Sequence, residues 1–244
     1  MKVSNEGIGA DVPDATPVVT PVVAAAHELK SPLSLVRQLS LHLEQGAITD
    51  AQRRVLRQIT LTSERALRLT TDLTKAARLE DALFELEPIN PEQICRDIVH
   101  ELTPLFEAHG RRLDMAKRSH PLLLVANRDL LRRILTNFSD NALHYTQPGT
   151  AVRMQIQAFQ KSGVVRIGVR DFGPALSADM WRALHDKLAT APQAIHARPQ
   201  SSGLGLLLAS QFAEAMHGRV GVTRHRDGAT FYVELQASRQ LSLL

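Results

Sequence analysis

Large apolar residues recur at helical spacing from about Val23 to Glu44, which predicts a first helix over this stretch. These residues share one side of the helix. They are Leu29, Leu33, Val36, Leu39 and Leu43. His27 falls on the opposite, polar side, so packing in a core does not account for it. Pro32 predicts a bend or a loosened turn just after this histidine.

A second helix is predicted after a turn at residues 45–49, with Gly46 ending the first helix and Thr49 or Asp50 capping the next. Up to about Glu80 its apolar positions follow the alternating spacing of a coiled-coil seam. The seam comprises Val55, Ile59, Thr62, Ala66, Leu69, Leu73 and Ala76. One such pair of helices leaves its apolar faces half covered, whereas two copies make a four-helix bundle. We therefore predict a homodimer through residues 24–80. An intramolecular bundle with later helices is the alternative.

The pattern then changes to a mixture of helices and short alternating strands, which predicts a two-layer α/β sandwich. Helices are predicted at 91–109, 128–145, 177–188 and 204–216, and strands at 111–115, 122–125, 152–159, 164–170, 219–223 and 230–235. The predicted division is a flexible leader 1–22, a helical hairpin 23–82, a linker or short strand 83–90, an α/β domain 91–238 and a tail 239–244.

Composition narrows the class of protein. Hydrophobic residues make up 44% of the 244 residues, enough for real cores, and the formal net charge of +4 is spread along the chain. This gives no concentrated nucleic-acid footprint, so we expect no nucleic-acid partner. The single cysteine, Cys95, excludes an internal disulfide and fits a reducing compartment. With no apolar run of membrane-spanning length and no signal-peptide pattern, we expect a cytoplasmic location.

Three stretches of the second domain carry candidate chemistry. In NFSDNALHYT, Asn137 and Asn141 lie four residues apart on one helical face and could hold a hydrated Mg²⁺, although such pairs are common on solvated faces. In DFGPAL, Asp171 follows a strand, where an isolated aspartate is usually a turn residue. In SSGLGLLLAS, Gly203 and Gly205 precede an apolar helix, which favours phosphate binding or a tight contact between helices.

The order of these stretches resembles the ATP-binding domain shared by two-component sensor histidine kinases, gyrase and mismatch-repair ATPases. The segment AHELKSPLSL at residues 26–35 resembles the phosphoacceptor box of the histidine kinases, the branch that places a helical hairpin before the ATPase domain. The resemblance covers about residues 24–236 and includes the closing MHGRVGV and DGATFYVEL.

The resemblance implies a role for each residue. His27 accepts the γ-phosphoryl group of ATP, Glu28 accepts the other ring proton, and Ser31 orients water for dephosphorylation of a partner. In the ATPase half, Asn137 and Asn141 engage Mg²⁺ and phosphates, with Asn141 as the metal ligand. The remaining nucleotide contacts are Asp171 to the adenine amino group, Gly173 and the Gly203-Leu204-Gly205 turn through their backbone, Tyr145 beside the nucleotide, and residues 189–202 as a lid.

The expected function is therefore an autophosphorylating histidine kinase that uses ATP and Mg²⁺ and passes the phosphoryl group to an aspartate of a response regulator receiver domain. Phosphatase activity toward that regulator is a further expectation, and a separate sensor or membrane subunit is an expected partner. Ala175 and His144 depart from the family pattern, and the lid lacks a phenylalanine. The alternative is thus a non-catalytic dimeric scaffold that binds a regulator or another kinase. A gyrase-type clamp would leave HELKSP unexplained.

Overall fold

The computed structural model describes residues 21–76, 85–116, 123–190 and 204–238. The chain divides into two compact units, Met1–Thr70 and Thr71–Leu244. No helix within the described residues is long and apolar enough to cross a membrane. The predicted tail and residues 1–20 of the predicted leader lie outside the described residues, whereas Pro21 and Val22 already belong to the first helix. Of the predicted linker, residues 83 and 84 lie outside the described residues and residues 85–90 are described.

The first unit is built on two helices, α1 (Pro21–Glu44) and α2 (Asp50–Ala76), of which residues 71–76 belong to the second unit. Helix α1 continues through Pro32 without interruption. Thr49 caps α2, because its Oγ1 accepts a hydrogen bond from the Gln52 backbone N–H at 3.3 Å and its own N–H donates to Gln52 Oε1 at 2.9 Å. The two helices are joined by a salt bridge between Arg37 Nε and Glu64 Oε1 at 2.8 Å.

The packed side of α2 is offset from the seam that the apolar pattern predicted. In the first unit the buried side chains of α2 are hydroxyl residues, Thr60, Ser63 and Thr70, and α1 buries Ser40. Val55 and Leu39, both on predicted apolar stripes, are instead 55% and 53% exposed. Several large apolar residues are therefore exposed in a single chain, whereas these short hydroxyl side chains are buried.

The second unit contains the remaining elements in the predicted order. They are β1 (Glu87–Ile89), α3 (Pro91–Ala108), β2 (Arg112–Met115), β3 (Leu124–Ala126), α4 (Arg128–Tyr145), β4 (Ala151–Phe159), β5 (Val164–Arg170), α5 (Ala178–Thr190), α6 (Leu204–Ala215), β6 (Arg219–His225) and β7 (Gly228–Gln236). Strand β1 forms within the stretch predicted to be a linker or short strand. Helix α5 ends at Thr190, so it occupies the first two positions of the predicted lid.

A five-stranded sheet in the order β2-β4-β5-β7-β6 organises this unit. The pair β2–β4 is parallel and the other pairs are antiparallel, while β1 and β3 form a separate antiparallel pair. One face of the sheet packs against helices: the rings of Phe138 on α4 and Phe231 on β7 lie 6.2 Å apart between centroids. The predicted two-layer α/β sandwich is confirmed.

The opposite face of the sheet carries polar and aromatic side chains. Arg166 donates through Nε to Glu234 Oε1 at 2.9 Å, and Arg219 donates to the other carboxylate oxygen. The guanidinium carbon of Arg166 lies 3.9 Å from the centroid of the Tyr232 ring. Burial alone would raise the pKa of Glu234, but the guanidinium donors of Arg166 and Arg219 outweigh it and hold the pKa below its ordinary value.

Candidate functional site

Helix α4 holds Asn137 and Asn141 on one half-exposed face. The helix begins after Asn127, whose Oδ1 accepts a hydrogen bond from the Leu130 backbone N–H at 3.1 Å. The large apolar residues of the helix are buried, among them Leu130, Leu131, Ile134, Leu135, Phe138 and Ala142. Their burial fixes the rotation of the helix, and the four-residue spacing keeps both asparagines on one stripe of its surface.

The start of α6 lies against this face. The Asn137 Nδ2 donates to the backbone carbonyl oxygen of Gly205 at 3.4 Å. Leu204 is the first residue of α6 and, like Gly205, is half-exposed. Gly203 and residues 191–202 of the predicted lid lie outside the described residues. Two of the three candidate stretches are therefore adjacent in the fold.

Asp171 follows the last residue of β5 and is almost fully buried, at 1% exposure. Its Oδ1 accepts hydrogen bonds from the backbone N–H groups of Gly173 at 3.2 Å and Ala229 at 3.3 Å. Its own backbone N–H donates to the Ala229 carbonyl oxygen at 2.9 Å. The orientation of the Asp171 carboxylate is thus set by a backbone N–H of its own loop and by one at the start of β7.

The turn between β6 and β7 approaches Asp171 so closely that only glycine fits there. Gly228 has a φ of 127°, and a Cβ at this position would lie 2.3 Å from the Asp171 carbonyl oxygen and 2.7 Å from its Oδ1. In the sequence, Asp227-Gly228 falls in the short connection between the strands predicted at 219–223 and 230–235. Its contact with Asp171 was missed because the two segments are far apart in the chain.

Arg170 connects the same two loops. Its Nη1 donates to the Asp171 carbonyl oxygen and, at 3.3 Å, to the Asp227 carbonyl oxygen, while its Nη2 donates to Asp227 Oδ1. The guanidinium carbon lies 4.3 Å from the centroid of the Phe172 ring. Nothing in the local pattern distinguished this arginine from an ordinary polar strand residue.

The end of α4 is tied to the Asp171 loop through Thr146, which is buried. Thr146 Oγ1 accepts a hydrogen bond from the Phe172 backbone N–H at 3.3 Å, and the Gln147 N–H donates to the Phe172 carbonyl oxygen at 3.2 Å. Tyr145 is half-exposed in the last turn of α4. All three stretches of the second domain are therefore linked, with α4 in contact with Gly205 on one side and with the Asp171 loop at its end.

The candidate phosphoacceptor residues lie in the first unit. His27, Glu28 and Ser31 are on α1, and all three side chains are exposed. His27 is therefore outside a packed core, as its place on the polar side of the helix predicted. Within the described residues, no group of three or more His, Cys, Asp and Glu side chains could hold a metal ion.

The comparison with known families assigns the second unit. The family model of the histidine kinase-, DNA gyrase B- and HSP90-like ATPases matches residues 126–239. This segment is a domain of that ATPase family. The match contains Asn137, Asn141, Asp171 and Gly205. The chain is a homologue of sensor histidine kinases over 86% of its length.

Relatives extend the similarity beyond the ATPase domain. The chain is 28% identical over 219 residues to the sensor protein GacS of Pseudomonas syringae pv. syringae, covering 86% of this chain and 24% of that protein. It is 27% identical over 216 residues to the sensor protein kinase PmrB of Pseudomonas aeruginosa, covering 86% and 43%. The crystal structure of full-length ShkA in complex with AMPPNP has a TM-score of 0.66 and 27% identity, covering 91% of this chain and 47% of that one.

The chain is much shorter than several of these relatives. It spans about a quarter of the length of the two GacS proteins, 24% in each case.

Proposed function

We propose that this chain is the kinase core of a two-component sensor histidine kinase, in which ATP bound in the second unit phosphorylates His27 in the first. The observation that carries the proposal is the linkage of Asn137, Gly205 and Asp171 in one ATPase domain. The same chain exposes a histidine within a phosphoacceptor-like segment. Homology to sensor histidine kinases over 86% of the chain supports joining the two halves in one function.

The nucleotide would lie between α4, the start of α6 and the Asp171 loop. Asp171 accepts a hydrogen bond from the adenine amino group, since its carboxylate is held in place by backbone donors. Gly205 offers backbone N–H groups at a helix start, where phosphate binds favourably. Tyr145 contacts the nucleotide from the last turn of α4, and Gly173 and Gly203 allow the backbone to approach it. The similar protein ShkA was solved with AMPPNP, which supports an adenine nucleotide as the ligand.

The residues present fit the Mg²⁺ that this ATPase family implies. Asn141 offers an amide oxygen from a half-exposed helical face. Mg²⁺ is commonly held by few protein ligands, with water and phosphate oxygens completing its shell. When bound, the ion neutralises phosphate charge during transfer. Asn137, held at the carbonyl oxygen of Gly205, keeps the helix start next to the phosphates.

The chemistry at His27 uses the neutral imidazole ring. One ring nitrogen attacks the γ-phosphorus, the bond from that phosphorus to the bridging oxygen breaks, and ADP leaves. The exposed Glu28 accepts the proton from the other ring nitrogen, which makes the attacking nitrogen a better nucleophile. The phosphoramidate then donates its phosphoryl group to an aspartate of a response regulator receiver domain. Ser31 orients the water that hydrolyses the aspartyl phosphate of the regulator, which returns the free aspartate and releases inorganic phosphate.

The first unit would act as a homodimer. Apolar residues at the predicted positions of α1 and α2 are exposed in the single chain, among them Leu29 at 52%, Leu43 at 56% and Val55 at 55%. A second copy that covers them forms a four-helix bundle and removes apolar surface from water. Dimerisation therefore stabilises the unit that holds His27.

Incubation with γ-labelled ATP and Mg²⁺ tests the kinase proposal. Wild type should acquire a label that is lost in acid and retained in base, as expected for a phosphoramidate, and His27→Ala should acquire none. A wild-type protein that binds ATP but never becomes labelled would contradict the proposal.

A non-catalytic scaffold is the second candidate, because Ala175 and His144 depart from the family pattern. Both residues are exposed in the ATPase domain. Calorimetry with a non-hydrolysable ATP analogue separates the two functions. Binding that is lost in Asn141→Ala supports the kinase, whereas absence of binding in wild type supports a scaffold that recognises a regulator or another kinase through its helices.

A further inference from the structure

Arg170 is nearly buried, at 9% exposure, although it lies on the face of the sheet that carries polar residues. Its guanidinium donates to three acceptors on two loops: the carbonyl oxygens of Asp171 and Asp227 and the carboxylate of Asp227. A planar guanidinium presents several donors in a fixed geometry, so one side chain can hold two segments at a set separation. The Phe172 ring, 4.3 Å away, covers the guanidinium on one side.

The segment that Arg170 holds also orients the Asp171 carboxylate. Asp227 precedes Gly228 and Ala229, and the Ala229 N–H donates to Asp171 Oδ1, as does the Gly173 N–H. The distance available between the turn and Asp171 is small, since a Cβ on Gly228 would already meet the Asp171 carbonyl oxygen at 2.3 Å. A small movement of the β6–β7 turn therefore changes the hydrogen bond from the Ala229 N–H, which orients the Asp171 carboxylate.

We propose that Arg170 is a positioning residue for base selection: by joining the β6–β7 turn to the Asp171 loop, it holds the Asp171 carboxylate where it distinguishes adenine from a purine with a carbonyl at the same ring position. The inference rests on the proposed function, in which Asp171 binds the adenine amino group. A carboxylate is a good partner for an amino group and a poor one for a carbonyl oxygen, because the latter brings two acceptors together. That discrimination depends on a fixed carboxylate, since a mobile one can turn away from the carbonyl oxygen.

Arg166 provides a matched control on the same strand and the same face. It also contacts an aromatic ring and a carboxylate, those of Tyr232 and Glu234. Its partners lie on β7 away from the Asp171 loop: Arg166 is opposite Glu234, whereas Arg170 is opposite Thr230. Loss of either arginine removes a guanidinium network from the sheet, but only loss of Arg170 acts on the loop that carries Asp171.

The test compares the dissociation constants of ADP and IDP, both with Mg²⁺, by calorimetry on the full chain. Removing a positioning hydrogen bond of this kind should lower the ratio of the IDP constant to the ADP constant by roughly tenfold in Arg170→Ala. Asp227→Asn should lower the ratio in the same direction by a smaller factor. This second variant alters an exposed side chain, so it keeps the test decisive if Arg170→Ala does not fold. Arg166→Ala should leave the ratio at the wild-type value, even if its melting temperature falls.

The pKa of His225 is a second readout, which reports whether the Arg170 guanidinium lies near that ring. Burial lowers the pKa of His225, and the nearby Arg170 charge lowers it further, so Arg170→Ala should raise the His225 pKa measured by NMR titration. Arg166→Ala should not raise it in this way. This readout tests whether the Arg170 charge lies near His225; the ratio of the IDP and ADP constants tests the positioning role, since a purely structural loss would lower the melting temperature and leave that ratio unchanged.

The outcomes separate the positioning role from the proposed function. If wild type does not bind ADP, or Asp171→Asn leaves the ratio unchanged, the assignment of the nucleotide site is wrong and the role of Arg170 falls with it. If wild type selects ADP and Asp171→Asn abolishes that selection, but Arg170→Ala and Asp227→Asn retain it, the nucleotide site stands and the positioning role is wrong.

Discussion

The side-chain amide of Asn137 donates to the carbonyl oxygen of Gly205 at 3.4 Å, which joins the middle of α4 to the start of α6. Both residues were singled out from separate stretches of sequence, 68 positions apart. Their contact places a polar amide and a helix start side by side on a half-exposed surface. Such a surface favours phosphate, because helix starts present unsatisfied N–H groups.

Gly205→Ala should separate folding from nucleotide binding. Apart from its chain neighbours and the backbone of α6, the only atom of the described residues within 4 Å of a Cβ at this position is Asn137 Cγ, at 4.0 Å, so these residues leave room for the methyl group. We expect the free energy of unfolding to change by less than about 0.5 kcal/mol in urea titrations. If nucleotide phosphates approach this backbone, the dissociation constant for ADP should rise by about tenfold. Unchanged ADP affinity would remove Gly205 from the site.

Gly228→Ala should destabilise the fold, since it adds a clash to an unfavourable backbone conformation. The φ of 127° is strained for alanine, and the Cβ would meet the Asp171 carbonyl oxygen at 2.3 Å. Gly149→Ala is the matched control, because Gly149 has a φ of 81° and, apart from its chain neighbours, no atom of the described part of the chain lies within 4 Å of its Cβ position. The control should cost about 1–3 kcal/mol of unfolding free energy from backbone strain, and Gly228→Ala should cost more. Equal costs in urea titrations would exclude the close approach.

Glu234 should make stability depend on pH in the acid range. Because Arg166 and Arg219 hold its pKa below the ordinary 4.5, the folded state releases this proton more readily than the unfolded state. The resulting stabilisation is present above about pH 4.5, the unfolded value, and is lost as the pH falls through the lowered folded value. Urea titrations from pH 6 downward measure it, where the pH values are chosen to span that window.

Glu234→Gln is the control for this carboxylate, since glutamine keeps the shape without the charge. The difference in unfolding free energy between wild type and Glu234→Gln should be largest at neutral pH and should shrink through the acid range. A difference that is constant over the same range would show that the charge of Glu234 does not contribute.

Cys95 should behave as an internal reporter of unfolding. The thiol is buried, and burial raises its pKa to about 12, with the Glu92 charge adding to the effect. Disulfide reagents at pH 8 should therefore react only after urea unfolds the second unit, and the rate of reaction should follow the unfolding transition. Rapid labelling of the native protein would contradict the placement of Cys95 on the buried side of α3.

Much of the second unit could be predicted from local pattern. Helix α4 matches the predicted bounds, Arg128–Tyr145, because its large apolar residues recur at helical spacing. The packing of α2 could not be predicted in the same way. Its packed side is made of Thr60, Ser63 and Thr70, and short hydroxyl residues do not give the apolar signal on which periodicity depends.

In the candidate site, too, the functional residues could be predicted from short motifs, whereas the contacts that hold them could not. Asn141 and Asp171 belong to short motifs whose spacing is visible in the sequence. The hydrogen bonds that fix the Asp171 loop come from Thr146, Arg170 and Ala229, and these contacts connect segments that no local pattern links. Contacts between segments far apart in the chain form only when the whole domain folds. The sequence alone therefore identifies the functional side chains but not the residues that hold them in place.

Phosphorylation of His27 is the most direct test of the account, and α1 offers a second exposed histidine, His42, as an internal control. Wild type, His27→Ala and His42→Ala should each be incubated with γ-labelled ATP and Mg²⁺, and the acid-labile, base-stable label should be counted. If His27 is the phosphoacceptor, we expect equal label in wild type and His42→Ala and none in His27→Ala. Label that persists at the wild-type level in His27→Ala would contradict it.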